Sequence, residues 1–325
     1  MRGRAIGLGL LGLGAFLLAG ALCVRLFLEP ALVKLPLDQK ASPTADGTDI
    51  TFFDIAAGEQ LTGLEADVRQ KVEGEPGSSA ASEDVAVWNF GSTITATDGT
   101  LLNAGTYRVC IDRRTAVARD CDVDNVDFDR KADVEGLTLT FPFGVEQKDY
   151  DIFNSTLRAA VPATFEGVEE KGGLEVYRFE VSIPETVART ADVPAAMAGV
   201  DGAGTVEGEI VYSNERIIWV EPTSGVIVTS EEHPDTFVRG PDGETGVTIL
   251  AGDFAGDEDT IAAGAERAED IRGQINLVKT VLPLSLAALG LVLLLIGALL
   301  IRRGRAGAHH EETVEAAPIR EPQVQ

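Results

Sequence analysis

Two long stretches without a single charge, one at each end, constrain this chain more than anything between them. Ala5 to Val24 is an uncharged run of 20 residues between Arg4 and Arg25, and Thr280 to Ile301 is one of 22 between Lys279 and Arg302. At about 1.5 Å of rise per residue, either run as a helix crosses the roughly 30 Å of a bilayer's hydrocarbon core. The pattern predicts a membrane protein with a span at each end. Arg2 and Arg4 precede the first run, and Arg302, Arg303 and Arg305 follow the second, so the positive-inside rule places both termini in the cytoplasm of a plasma-membrane protein.

Residues 25–279 then lie outside, and they hold 21 of the 27 Lys and Arg but 48 of the 52 Asp and Glu, a net charge of −27. A surface so acidic repels phosphate backbones, which argues against nucleic acid as a partner. Cations, basic proteins and neutral lipids stay open, as does the plain reading that the charge keeps an exported domain soluble. Arg2, Arg4 and the small residues Ala19-Gly20-Ala21 also fit a cleavable signal peptide. The apolar run continues through Leu22, Cys23 and Val24, beyond a usual signal core, which favours a retained span. Leu22 occupies the position where lipidation of Cys23 would need a small residue.

Outside the membrane the only cysteines are Cys110 and Cys121, a hairpin's length apart. In an exported domain they read as a disulfide, and no histidine lies near enough in sequence to make either a catalytic thiol. The exterior itself alternates apolar and polar residues. Leu64, Ala66, Val68 and Val72 share one face of Leu64 to Val72, and Leu137, Leu139, Phe141 and Phe143 one face of Gly136 to Gly144, which predicts two half-buried strands. Further strands are expected at Ile50 to Ile55, Asp84 to Phe90, Thr106 to Ile111, Leu174 to Ile183, Glu207 to Ser213, Ile217 to Val220, Gly225 to Thr229 and Val247 to Leu250. Glu221-Pro222-Thr223-Ser224-Gly225 reads as a hairpin turn. Glu73 to Glu83 reads as a surface loop, and Ala191 to Gly204 as another loop or a short apolar helix.

From Asp259, placed as an N-cap, Ile261, Ala265, Ala268, Ile271, Ile275 and Val278 recur at helical spacing, and no breaker stands before Pro283, where a kink is expected. The predicted order is a cytoplasmic N-terminus (1–4), a span (5–24), an extracytoplasmic β-rich domain ending in a juxtamembrane helix from about 259 (25–279), a span (280–301) and a disordered cytoplasmic tail (302–325). The fold class is a mainly β extracytoplasmic domain, antiparallel and sandwich- or barrel-like, between two terminal transmembrane α-helices.

Chemistry is sparsely signalled. His233 is the sole histidine outside, in the turn-like stretch Ser230-Glu231-Glu232-His233-Pro234-Asp235, and a His-based metal site or nucleophile triad would depend on it alone. No G-x-S-x-G, P-loop or H-E-x-x-H motif occurs. Asp120, Asp122, Asp124, Asp127 and Asp129 begin like a calcium loop, but Asn125 and Lys131 stand where glycine and a bidentate glutamate belong. Asn154-Ser155-Thr156 matches a glycosylation acceptor by spacing alone. Ala5, Gly9 and Gly12 against Ala287, Gly290 and Gly297 are small residues that would let the two spans approach closely. These residues predict no catalytic, metal or cofactor site and a chain that is not an enzyme.

Gly136-Leu137-Thr138-Leu139-Thr140-Phe141-Pro142-Phe143-Gly144, followed by Lys148-Asp149-Tyr150-Asp151, Pro162-Ala163-Thr164-Phe165-Glu166-Gly167 and Gly173-Leu174-Glu175-Val176-Tyr177-Arg178-Phe179, resembles an actinobacterial family of two-span envelope proteins. Most members are called proteins of unknown function and some carry the label porin PorA family. The resemblance covers nearly the whole chain, both spans and the cysteine pair included, and its motifs imply no catalytic residue. A porin label implies a pore, yet membrane barrels present lipid-facing strands with aromatic girdles, and this chain has 6% aromatic residues and two apolar helices. A channel would then need an oligomer with polar residues in the spans, where Thr280 and Ser285 are almost the only ones. The topology is also similar to class B scavenger receptors, which implies an apolar route for lipid through the exterior. The expected function is a non-enzymatic cell-envelope protein whose acidic ectodomain binds or transfers an envelope lipid or binds a protein partner. A pore or transporter component, oligomeric, is the alternative, and an exported enzyme is third.

Overall fold

The structure, a computed structural model, describes the backbone of residues 2–311 and the side chains of residues 5–303. It divides into two units, Met1–Leu32 with Gly273–Gln325, and Val33–Arg272.

In the first unit α1 (Arg2–Cys23) leads through a π-helical turn, Val24–Leu28, into the short α2 (Glu29–Leu32). On the return, α3 (Glu258–Asn276), which belongs to the second unit as far as Arg272, is followed in the first by a second π turn, Leu277–Val281, and by α4 (Leu282–Glu311). Both predicted spans are thus helical, and both helices are long and apolar enough to cross a membrane. Each π turn ends two residues before a proline, Pro30 or Pro283. A proline has no N–H for the carbonyl four residues back, here Leu26 or Lys279, and its ring crowds that oxygen. Opening the ladder by one residue relieves the crowding, so the chain passes Pro283 through a π turn. α4 continues past Ile301 to Glu311, a correction to the tail expected to be disordered from Arg302. Residues 312–325 lie outside the described residues.

The second unit is a sheet of thirteen strands: β1 (Lys40–Ala41), β2 (Thr44–Asp54), β3 (Glu59–Gly74), β4 (Val85–Ala96), β5 (Leu101–Asp112), β6 (Ala118–Arg119), β7 (Asn125–Val126), β8 (Tyr150–Asn154), β9 (Ala159–Lys171), β10 (Leu174–Pro194), β11 (Thr205–Val220), β12 (Ile227–Arg239) and β13 (Thr245–Gly256). Its order is β6-β5-β4-β3-β2-β13-β12-β11-β10-β9-β8, with β1 on β3 and β7 on β5, and the strand pairs are antiparallel. The first long strand therefore lies beside the last, mid-sheet. The sheet curls into a half-barrel, and its two ends meet at one residue: Leu137 bridges Val117, next to β6, and Ile152 of β8. Leu137 donates its N–H to Asp151 O at 2.8 Å and accepts from Phe153 N at 2.7 Å.

Curling brings inward-facing residues from opposite ends of the sheet into one core. Trp88, Val109 and Ile111 of β4 and β5 join Phe179, Val181, Ile218 and Val220 of β10 and β11. The segment expected as a strand at Gly136 to Gly144 is instead an irregular loop that fills this core with Leu137, Phe141 and, just beyond, Val145. It is tied to the β11–β12 turn, since Phe141 N donates to Gly225 O (2.9 Å) and Val145 N to Pro222 O (2.7 Å). Gly225 has φ 71°, and a Cβ there would strike the Phe141 carbonyl.

The two strands expected at Glu207 to Ser213 and Ile217 to Val220 are one, β11. Pro194 leads into a 3₁₀ turn, Ala195–Ala198, with Ala195, Met197 and Ala198 buried, so the short-helix alternative holds there. β8 and β9, with the two-residue strands β1, β6 and β7, are added to the expected set. α3 begins one residue before the expected N-cap: Asp257, not Asp259, accepts the Thr260 N–H at 2.7 Å, and its other oxygen accepts the Thr44 hydroxyl. Ile261, Ala265 and Ala268 then pack on Leu174, Val176, Trp219 and Val228.

Candidate functional site

Cys110, near the end of β5, and Cys121 form the disulfide that the spacing predicted. Closing a loop of that length is worth roughly 3 kcal/mol in the chain-entropy picture. Of the acidic run Asp120 to Asp129, Asp124 is buried at 7% exposure and turns inward, where its Oδ1 accepts the Cys110 N–H at 2.9 Å. The same oxygen stands 3.0 Å from Cys121 Sγ, a disulfide sulfur with no proton to give. Burial is the largest influence on this carboxyl and pushes it up to about 6, against the pull of the backbone N–H groups. Cys110, Cys121 and Asp124 converge closely enough to hold a metal ion, but disulfide sulfurs offer no thiolate, and Asp124 is committed to the backbone. Asp127 accepts the Thr106 N–H and Asp129 pairs with Arg158 at 2.6 Å, so these two carboxylates serve loop structure.

His233 lies in β12 rather than in a turn, half exposed, with Nδ1 2.7 Å from Asp253 Oδ1 on β13. The stretch reads as a turn because Pro234 follows, yet Pro234 sits opposite Asn214 within the ladder. Asn154 of the acceptor triplet is engaged on both sides, donating to Tyr212 Oη at 3.4 Å and accepting from Leu157 N at 2.9 Å.

Aromatic rings occupy the centre of the half-barrel. Phe141 stacks on Phe179 at 4.9 Å between centroids and meets Tyr150 edge-on at 5.4 Å. A cleft of about 340 Å³ lies at the seam of the sheet, lined by Val117, Glu135, Leu137, Tyr150, Asp151 and Ala160 among others. Six large apolar side chains of Val33–Arg272 are exposed: Ile55, Leu101, Val117, Phe128, Val168 and Val187. They are scattered, and a strand barrel in lipid would need a continuous apolar band. The elements long and apolar enough to cross a membrane are the two helical stretches, residues 5–32 and 258–303.

Those helices meet through glycine, on a face the sequence reading placed differently. Among the described side chains, Gly7, Gly14 and Ala21, each seven residues apart, are the buried positions of α1, and Gly290 and Gly297 those of α4. A Cβ on Gly14 would stand 2.7 Å from Gly290 O, and one on Gly7 2.9 Å from Gly297 O. Gly9 and Gly12, expected at the contact, have open space beside them. Residues 7, 14 and 21 repeat every two turns, so they stay on one face along the whole helix. Where the spans end, Arg25 pairs with Glu29 at 2.6 Å, Lys279 lies 4.0 Å from the same carboxylate, and Arg25 Nη1 also reaches Lys279 O at 3.4 Å. Sequence reasoning used Arg25 and Lys279 only as span limits; Pro30 and Pro283 were the signal that something special happens there.

A family model described as Porin PorA matches residues 6–299. A protein named Porin PorA from Corynebacterium amycolatum is 25% identical over 376 aligned residues, covering 90% of this chain and 97% of its own. Another of that name, from Corynebacterium resistens, is 24% identical over 307, covering 70% and 74%.

Proposed function

Because the chain belongs to the Porin PorA family, we propose that it is a non-enzymatic component of a cell-envelope pore, built from several copies, with both termini cytoplasmic and the acidic β unit outside. The observation that carries the multi-copy reading is the filled interior of the half-barrel, where Trp88, Phe141 and Phe179 are each at most 1% exposed. One copy then contributes two packed helices to the membrane, and two helices do not enclose a water-filled path. The relatives' shared name supports conductance as the activity. The net charge of −27 on residues 25–279 supports a preference for cations, since an acidic vestibule concentrates them.

The packed interior counts against an apolar lipid route through the same domain. The test is planar-bilayer conductance of the full-length protein, with native mass spectrometry of the same sample. Cation-selective steps from an oligomeric preparation are expected. A monomer that never conducts, and that carries a defined envelope lipid, would replace this reading with lipid binding.

A further inference from the structure

Arg25 and Lys279 are the first charged residues on leaving each uncharged span, so they lie at the depth where lipid phosphates begin. They come from different helices and are brought together by the two π turns, which lie against each other. Glu29 is the carboxylate they share, and it is the more sheltered partner, with 18% of its side chain exposed against 50% for Arg25 and 48% for Lys279. Two cations on one anion leave a charge of +1.

The donors matter more than the count. Arg25 spends Nη1 on both of its bonds, to Glu29 and to the Lys279 carbonyl, for which Pro283, four residues on, has no N–H to give. The Nε and Nη2 edge, whose two parallel N–H groups match a phosphate, makes no hydrogen bond among the described residues. Lys279 Nζ is within ion-pair range of Glu29 but beyond hydrogen-bond reach, so its three donors are uncommitted as well.

We propose that Arg25 and Lys279 form a clamp for the phosphate of an anionic lipid, at the end of the helix pair from which the chain continues into Val33–Arg272. Glu29 holds the two cations in place and competes for them. The sequence from 25 to 279 carries −27 in all and does not favour free anions as ligands, whereas a lipid is delivered to this depth by the bilayer.

The experiment uses the full-length protein in nanodiscs of phosphatidylcholine with a minor fraction of phosphatidylglycerol, released into the gas phase and scored for retained phosphatidylglycerol. The double variant R25Q/K279Q is expected to lose about tenfold or more of the retained anionic lipid, on the basis of about 1 kcal/mol per basic residue at an anionic surface. E29Q is expected to gain retention, a change of opposite sign that a purely structural cluster would not give. K279R should retain the lipid and report that the fold survives. Equal retention in the double variant and the wild type, or loss in E29Q, overturns the clamp. Displacement of phosphatidylglycerol by millimolar inorganic phosphate also overturns it, because the site would then hold soluble anions.

Discussion

Replacing Phe141 with alanine probes whether the loop at Gly136 to Gly144 truly fills the half-barrel. The ring is 1% exposed and touches Phe179 and Tyr150 at centroid distances of 4.9 and 5.4 Å. Truncating a ring so enclosed costs about 3–5 kcal/mol through lost burial and the void left behind. Aromatic pairs add about 0.5–1.5 kcal/mol each beyond their area, and some of that is already inside the first figure. For a unit of this size each kcal/mol moves the melting temperature by about 2–4 °C, so Phe141→Ala should melt about 6–20 °C lower. The matched control is Phe128→Ala. That ring is 88% exposed and should shift the midpoint by no more than about 2 °C. The assay is thermal unfolding of the full-length protein in detergent, followed by the near-ultraviolet signal of Trp88 and the tyrosines around it. If Phe141→Ala melts within about 2 °C of the wild type, the loop does not occupy the interior, and the argument against a lipid route through it fails.

Asp124 should make the β unit less stable as pH rises. Its folded value of about 6 lies above the ordinary carboxyl value of 3.8, so the fold favours the protonated form. The benefit is full below about pH 4 and is lost as pH climbs through 6, on the order of 1–3 kcal/mol. Melting curves at pH 5 and pH 7.5 should show the loss, and Asp124→Asn should abolish this part of it; an unchanged slope in that variant would assign the effect elsewhere. In the membrane, Gly14→Leu should separate the helix pair, because its Cβ would meet Gly290 O, whereas Gly12→Leu faces open space and should leave the pair intact. Disulfide trapping of cysteines placed on the facing stripes of α1 and α4 reads the difference, and equal trapping in both variants would remove glycine contact as its cause.

The spans were legible because lipid demands an unbroken apolar run, a signal that survives without any knowledge of neighbours. The disulfide was legible for a similar reason, since only two cysteines stand outside the membrane. The turn at Glu221 to Gly225 was legible from proline and glycine. Gly136 to Gly144 misled because alternation reports burial of every second side chain, and a loop pinned inside a core by Leu137 and Phe141 alternates as well as a strand does. β9 was missed for the converse reason. Glu166, Glu169 and Glu170 crowd one stretch of it and mask its pattern, although it pairs with β10 along Thr164 to Lys171. The convergence of Arg25, Glu29 and Lys279 joins positions about 250 residues apart, and periodicity within one segment carries no information on that pairing.

The pairing of β2 with β13 has a consequence in time. About 190 residues separate Asp54 from Thr245, so at roughly 5–20 residues per second the ribosome takes about 10–40 s to make the partner that β2 requires. During that interval β2 to β5 form a meander with an unpaired edge of eleven residues, and Ile50, later wholly buried, has no cover from Leu250 or Phe254. Such an edge invites pairing with a neighbouring nascent chain. Completion of the sheet therefore waits on β13, the last strand made, and until it arrives the β2 edge stays open to such pairing.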